Sequence, residues 1–345
     1  MDSSGRDPVG KQKEKAKEAG SIGIDVGGTK TLVALFDSRF EVLAEHKFRS
    51  HAGKEGLRAF ETALFEAIGK LLKRARKRKL LVRHVGVACA GDIDMKKGLV
   101  RSSPNLTFLD GYPFREKLEK LTAARAFIGH DVQAALYGEF RLGAARGARH
   151  VVGVWLGTGV GGALIIDGRI HLGASGRAGD IGNYLLTSFD VSIEAQRKYR
   201  LDGVASRPAI AGEAAALAAK HKAPALREAA GTDVDDIRAG DIARAIRAGD
   251  KAVERLVRSR ASIVGAALSN LVDVINPDVV VLGGGVVEAM PALVRSEVRK
   301  AITAHASRKS ARAVKVVVAK LHCHAGTIGA ALLAMDLEVP HNGAR

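Results

Sequence analysis

The chain has 345 residues, of which 47% are hydrophobic and 26% charged, with a formal net charge of +17. That is a globular composition long enough for two modest cores; no apolar run can cross a bilayer, and the first twenty residues lack the apolar stretch of a secretory signal. Two cysteines cannot make a disulfide framework, so a reducing cytoplasm fits best.

Residues 1–20 read as a flexible basic leader, with Lys11–Lys17 mixing Lys and Glu without an apolar stripe. Order is expected from Ser21, where SIGIDVGGTKTLVALFD reads as a strand, a Gly-rich turn and a second strand ending near Asp37. A helix follows over Leu57–Arg78, with Leu64, Phe65, Ile68, Leu71 and Leu72 on one face. The second cluster of charge, Lys70–His84, would cover its wet side. With one Trp, few aromatics to stack bases and no DNA-binding motif, a nucleic-acid partner is not expected. Next come a strand at Leu81–Ala88, a helix at Phe114–Leu121, a strand near Ala126–Ile128 and a helix after Asp131.

Near Val151 the pattern restarts. VVGVWLGTGVGGALIIDGRI is again strand, Gly-rich turn and strand, with Asp167-Gly168 as a tight hairpin turn. A helix-rich stretch is expected over Glu213–Ile275, where Pro277 helps end the last helix. DVVVLGGG is a buried strand running into glycines, VKVVVAK another strand, GTIGAALLAM a final helix and 339–345 a tail. A motif that opens each half is a weak internal repeat, and alternating strands and helices predict an α/β fold with a cleft between duplicated lobes.

Three glycine-rich segments carry the chemistry. In the first, Gly27, Gly28 and Thr29 leave N–H groups that can cradle phosphate oxygens, Lys30 could add charge, and Asp25 could hold hydrated Mg²⁺. The alternative is a hairpin with an incidental acid. The second, with Gly157, Thr158 and Gly159, reads as another phosphate loop. In the third, Gly283, Gly284 and Gly285 leave space for a flat ring such as adenine, or open a helix. None matches the P-loop or the dinucleotide fingerprint.

Taken in order, GIDVGGTKT, ACAGDID, SPNL, IGHDVQAAL, GARHVVGVWLGTGVGGALIIDGRI, AGDIGN, VVLGGGV and AGTIGAALLA make the chain resemble the ROK family, from about Ile22 to Ala334. The resemblance implies an actin-like ATPase fold of duplicated ribonuclease-H-like lobes, with 21–129 plus 321–338 in the small lobe and 130–320 in the large. It implies a cytoplasmic sugar kinase moving the terminal phosphate of ATP to a hexose with Mg²⁺, as a dimer or tetramer. Some members are repressors with a winged helix, for which there is no room before Ile22. The alternatives kept open are a non-catalytic sugar-binding regulator and a polyphosphate-dependent kinase.

By the same resemblance Asp131 is the general base; from its residues alone it reads equally as a helix N-cap. Asn105 in SPNL resembles a sugar contact. Here the chain departs from the family. The sugar-binding Glu of GEIGH is Asp180, the His that touches sugar and often binds zinc is Asn183, and the CxCGxxGCxE segment is missing, its closing Glu corresponding to Asp202. No zinc is expected, and the hexose side should be reshaped. Arg177 could contact an anion, but reads first as a surface charge. His322, Cys323 and His324 are expected at a strand end with side chains on alternate faces, unable to share one ion.

Overall fold

The computed structural model describes residues 18–50, 56–186 and 199–337. The tail at 339–345 and all of the leader before Glu18 lie outside the described residues. Glu18–Gly20 belong to the first strand, not to the leader, because their backbone pairs in parallel with Leu80–Val82 whatever their side chains.

The strands are β1 (Glu18–Val26), β2 (Lys30–Phe36), β3 (Val42–Arg49), β4 (Leu80–Cys89), β5 (Asp92–Asp94), β6 (Leu99–Ser102), β7 (Arg125–His130), β8 (Val151–Leu156), β9 (Val160–Ile166), β10 (Arg169–Ile170), β11 (Val279–Gly283) and β12 (Lys315–Val318). The helices are α1 (Gly56–Lys77), α2 (Phe114–Thr122), α3 (Asp131–Leu142), α4 (Leu201–Ala205), α5 (Arg207–Ala219), α6 (Pro224–Ala230), α7 (Ala239–Arg247), α8 (Lys251–Ile275), α9 (Gly285–Ala289), α10 (Pro291–His305), α11 (Arg308–Ala313) and α12 (Ala325–Asp336).

Two five-stranded sheets share one topology. The first runs β3-β2-β1-β4-β7 and the second β10-β9-β8-β11-β12. In each, three antiparallel strands are followed by two that join in parallel. The duplication expected from the two Gly-rich hairpins is therefore carried through to strand order. The turn at Asp167-Gly168 has both residues at positive φ, as a two-residue hairpin requires.

Amphipathic spacing explains α1. Phe60, Leu64, Ile68 and Leu71 recur at intervals of three or four and are buried, while Lys70, Lys73, Arg74 and Arg76 face water. Its closing Arg74, Arg76 and Lys77 also complement the negative end of the helix dipole. The helical stretch of the second half starts at Leu201, before the expected Glu213, and α5 has Pro208 in its first turn, where no intrahelical donor is needed. His322–His324 form a 3-10 turn leading into α12, not a strand end, so the expected alternation of faces does not apply.

Each sheet has its own apolar core on its outer side. A third cluster fills the middle, combining Phe36, Ala88 and Phe127 from the first sheet with Val151, Ile165 and Val281 from the second, and Leu136 and Leu332 from α3 and α12. Helix α12 lies directly on β1 and β4. A Cβ on Gly23 would sit 1.9 Å from the Thr327 carbonyl oxygen, and one on Gly86 1.9 Å from that of Ala330. Only glycine permits that backbone contact.

Candidate active site

The two hairpins close alike. At the first, Gly27 donates its N–H to the Lys30 carbonyl at 3.1 Å, while Ser50 donates from Oγ to the Gly27 carbonyl at 2.6 Å and from its N–H to that of Thr29 at 3.0 Å. At the second, Gly157 donates to the Gly159 carbonyl at 2.9 Å and accepts from the Arg207 N–H at 2.8 Å. The N–H groups of Gly28, Thr29, Thr158 and Gly159 carry no hydrogen bond among the described residues. Paired open N–H groups of this kind suit anionic oxygens.

Both hairpins border one cavity of about 980 Å³, which also receives the ends of β1, β7 and α3. Gly27, Gly28, Gly157, Thr158 and Gly159 line it; Thr29 and Lys30 do not, and Lys30 points its backbone into pairing with Arg49. Of the third glycine segment only Gly284 lines it. The space beside Gly283 belongs to a protein ring: a Cβ there would meet Nε1 of Trp155 at 2.5 Å. Gly285 instead opens α9. Gly285 thus meets the other expectation for this segment, the opening of a helix, and a Cβ there would meet nothing within 4 Å.

Asp25 and Asp131 both face the cavity. Withdrawal from water, and then repulsion from Asp131, pushes the Asp25 carboxyl up to about 7. Asp25 accepts no hydrogen bond among the described residues, so a hydrated divalent cation suits its donor chemistry. Asp131 is the first residue of α3, and His130 holds the cap position. The carboxylate nevertheless serves the helix start, because its Oδ1 accepts the Val132 N–H at 2.7 Å.

Asn105 packs against the first hairpin, where a Cβ on Gly28 would stand 3.2 Å from that of Asn105. Asp202 accepts the Val160 N–H at 2.6 Å, tying α4 to the second hairpin. Asp180 accepts from Arg177 Nη2 at 2.9 Å and from Asn183 Nδ2 at 2.8 Å. Asn183 accepts in turn from Arg200 Nη1, at 3.0 Å on Oδ1 and 3.2 Å on its carbonyl. Arg177 is therefore part of the cavity wall while its side chain stays half exposed. Arg200 and His130 are wall residues that sequence reading passed over, since a cation or an imidazole in a polar run carries no local sign of what it faces.

The Asn183 amide is committed at both ends, and no three His, Cys, Asp or Glu side chains are grouped to hold a metal among the described residues. These residues do not fit a zinc site of thiolates and imidazole. The missing cysteine segment falls largely on 187–198, outside the described residues, and its sequence has neither Cys nor His.

The ROK family model matches residues 21–337. The chain belongs to the ROK family. A glucokinase of Halalkalibacterium halodurans is 29% identical over 92% of this chain and 95% of its own length. The structure of a ROK family glucokinase from Streptomyces griseus in complex with glucose and AMPPNP is similar with a TM-score of 0.74, 28% identity and coverage of 92% of this chain and 100% of that one. A ROK hexokinase from Thermus thermophilus gives a TM-score of 0.73, 28% identity and coverage of 92% and 98%. The two sheets are thus those of the actin-like ATPase fold, with duplicated ribonuclease-H-like lobes.

Proposed function

We propose that this protein is an ATP-dependent hexose kinase with Asp131 as its general base. The observation that supports it most is one cavity bordered by two hairpins with open N–H groups and by the Asp131 carboxylate. Similarity to glucokinases over nearly the whole chain points to the same reaction.

In this reading the hairpins at Gly27–Thr29 and Gly157–Gly159 bind phosphate oxygens through backbone N–H groups, with Lys30 adding positive charge nearby. Asp25 would hold hydrated Mg²⁺, which would supply neutralisation of phosphate charge. Gly284 borders the base of the nucleotide. Asn105, Asp180, Asn183 and Asp202 orient the hexose. Asp131 takes the proton of the attacking hydroxyl as its oxygen bonds to the terminal phosphorus, and ADP leaves. In the same reading the small lobe is 21–129 plus 321–338, extended at its start by the paired Glu18–Gly20, and the large lobe 130–320.

Among the described residues no helix is long and apolar enough to cross a membrane. A cytoplasmic location and a dimeric or tetrameric assembly belong to the same proposal and rest on the family resemblance.

The test is ADP release with ATP and Mg²⁺ across a panel of hexoses, with a polyphosphate arm as alternative donor. Asp131→Asn should lower turnover by roughly 10²–10⁴-fold. Trp155, the only tryptophan, lines the cavity, so its emission reports nucleotide binding separately from turnover. No sugar-dependent ADP release from protein that binds ATP would overturn the proposal.

A further inference from the structure

Gln133 has no part in the reading above and does not line the cavity. It sits in the first turn of α3, the helix that opens with Asp131, and is only 3% exposed. Its Nε2 donates to the Gly176 carbonyl at 2.8 Å, across 43 positions of the chain. Gly176 belongs to the loop between β10 and the 3-10 turn Ile181–Asn183, and this loop brings Arg177 and Asp180 to the cavity.

Little else holds that loop. It closes where the Ala178 N–H donates to the Leu172 carbonyl at 3.1 Å, and Gly173, Gly176 and Gly179 take positive φ to let it turn. Among the described residues no backbone group from Gly173 to Arg177 pairs with another backbone group. The Gln133 amide makes the one hydrogen bond that reaches this stretch from outside the loop, again among the described residues. The other contact at its tip is apolar: a Cβ on Gly176 would stand 2.8 Å from Cε of Met95. A thioether chain of that kind fills space but fixes no direction.

The amide does fix one. A carbonyl only accepts, so the NH₂ end of Gln133 must face Gly176. Away from water such a bond is also stronger than on the surface. Arg177, next to Gly176, then donates from Nη2 to the Asp180 carboxylate at 2.9 Å. A line of bonds thus runs from the helix of Asp131, through Gly176 and Arg177, to Asp180.

We infer that Gln133 is a positioning residue for the sugar side: by holding Gly176 it fixes the Arg177–Asp180 pair against α3, so that Asp180 meets a hexose whose attacking hydroxyl lies at Asp131. The inference rests on Asp180 orienting the hexose, as in the reading above. No proton or covalent bond changes at Gln133. Its effect lies in how often the wall is in place when the hexose arrives, so it acts on KM for the hexose.

The test is Gln133→Met, which keeps the length of the side chain and removes the donor; Gln133→Leu serves as the non-donor if Met does not fold. KM for the hexose should rise about tenfold, inside the ~10²-fold that about 1 Å of misplacement can cost. Turnover and KM for ATP should stay within about twofold, as when binding alone is lost. Trp155 emission on nucleotide titration should match the parent protein. Asp180→Asn and the double variant complete a cycle. Because Gln133 acts through Asp180, the double variant should bind hexose no worse than Asp180→Asn alone. Losses that multiply would mean independent sites and overturn the inference. Parental KM for the hexose in Gln133→Met overturns it too, as does a loss confined to kcat or an equal rise in KM for ATP. Parental hexose kinetics in Asp180→Asn would remove Asp180 from the sugar site and this inference with it, a result that leaves the Asp131→Asn test of the kinase reading untouched.

Discussion

Arg200 Nη1 donates to Asn183 Oδ1 at 3.0 Å, so one guanidinium ties the start of α4 to the turn that carries Asp180. Asn183 passes the tie on by donating to the Asp180 carboxylate. The chain of bonds connects segments on either side of 187–198 and braces the cavity wall. Arg200→Met should raise KM for the hexose about tenfold, an effect within the ~1–3 kcal/mol that a changed pocket contact supplies. KM for ATP should be unchanged. Steady-state kinetics with each substrate varied in turn check this.

The raised Asp25 carboxyl makes stability depend on pH. Its folded value is about 7 against an ordinary 3.8. Between those values the folded protein holds a proton that the unfolded chain has lost. The contribution to stability is full below 3.8, is lost as pH rises to about 7, and is flat beyond. The ligand-free protein should lose up to about 4 kcal/mol over that window from this group. Asp25→Asn should flatten the slope and be more stable than the parent at pH 8. Urea unfolding at pH 5 and pH 8 measures both.

Gly326, in the first turn of α12, backs onto that same carboxylate. A Cβ there would stand 2.6 Å from Asp25 Oδ2. Gly326→Ala should displace Asp25, with an overpacking cost of about 1–3 kcal/mol. The expected outcome is a loss of turnover with a raised Mg²⁺ requirement, while Trp155 emission still reports nucleotide binding. A crystal structure of the variant would show the shifted carboxylate.

Glu139 is fully buried on α3 and joins that helix to the chain entering α12. Its Oε1 accepts the N–H groups of Lys320 at 2.8 Å and Leu321 at 2.7 Å, and its Oε2 that of Ala144 at 2.7 Å. In Glu139→Gln one end becomes a donor facing donors. The expected destabilisation is about 2–3 kcal/mol by urea unfolding, the range for a buried group left unpaired.

Much of the architecture was legible because it rests on local pattern. Glycine turns between apolar strands gave both hairpins, and three-four spacing gave α1. Strand β3 escaped notice because it is an edge strand whose alternation includes Glu45, Lys47 and Arg49, half of it facing water. Glu18–Gly20 looked like leader because backbone pairing leaves no trace in side-chain polarity.

The sequence by itself determined a ROK-family α/β chain with two Gly-rich hairpins, an acid at Asp25, another at Asp131 and no cysteine between Asn183 and Asp202. Tertiary structure alone decided what those groups touch. It put Trp155 in the space beside Gly283, brought Arg200 to Asn183 across seventeen positions, and made Arg177 a partner of Asp180. Periodicity is written along the chain, but the direction of a polar side chain is set by whichever donor or acceptor the fold brings within about 3 Å of it.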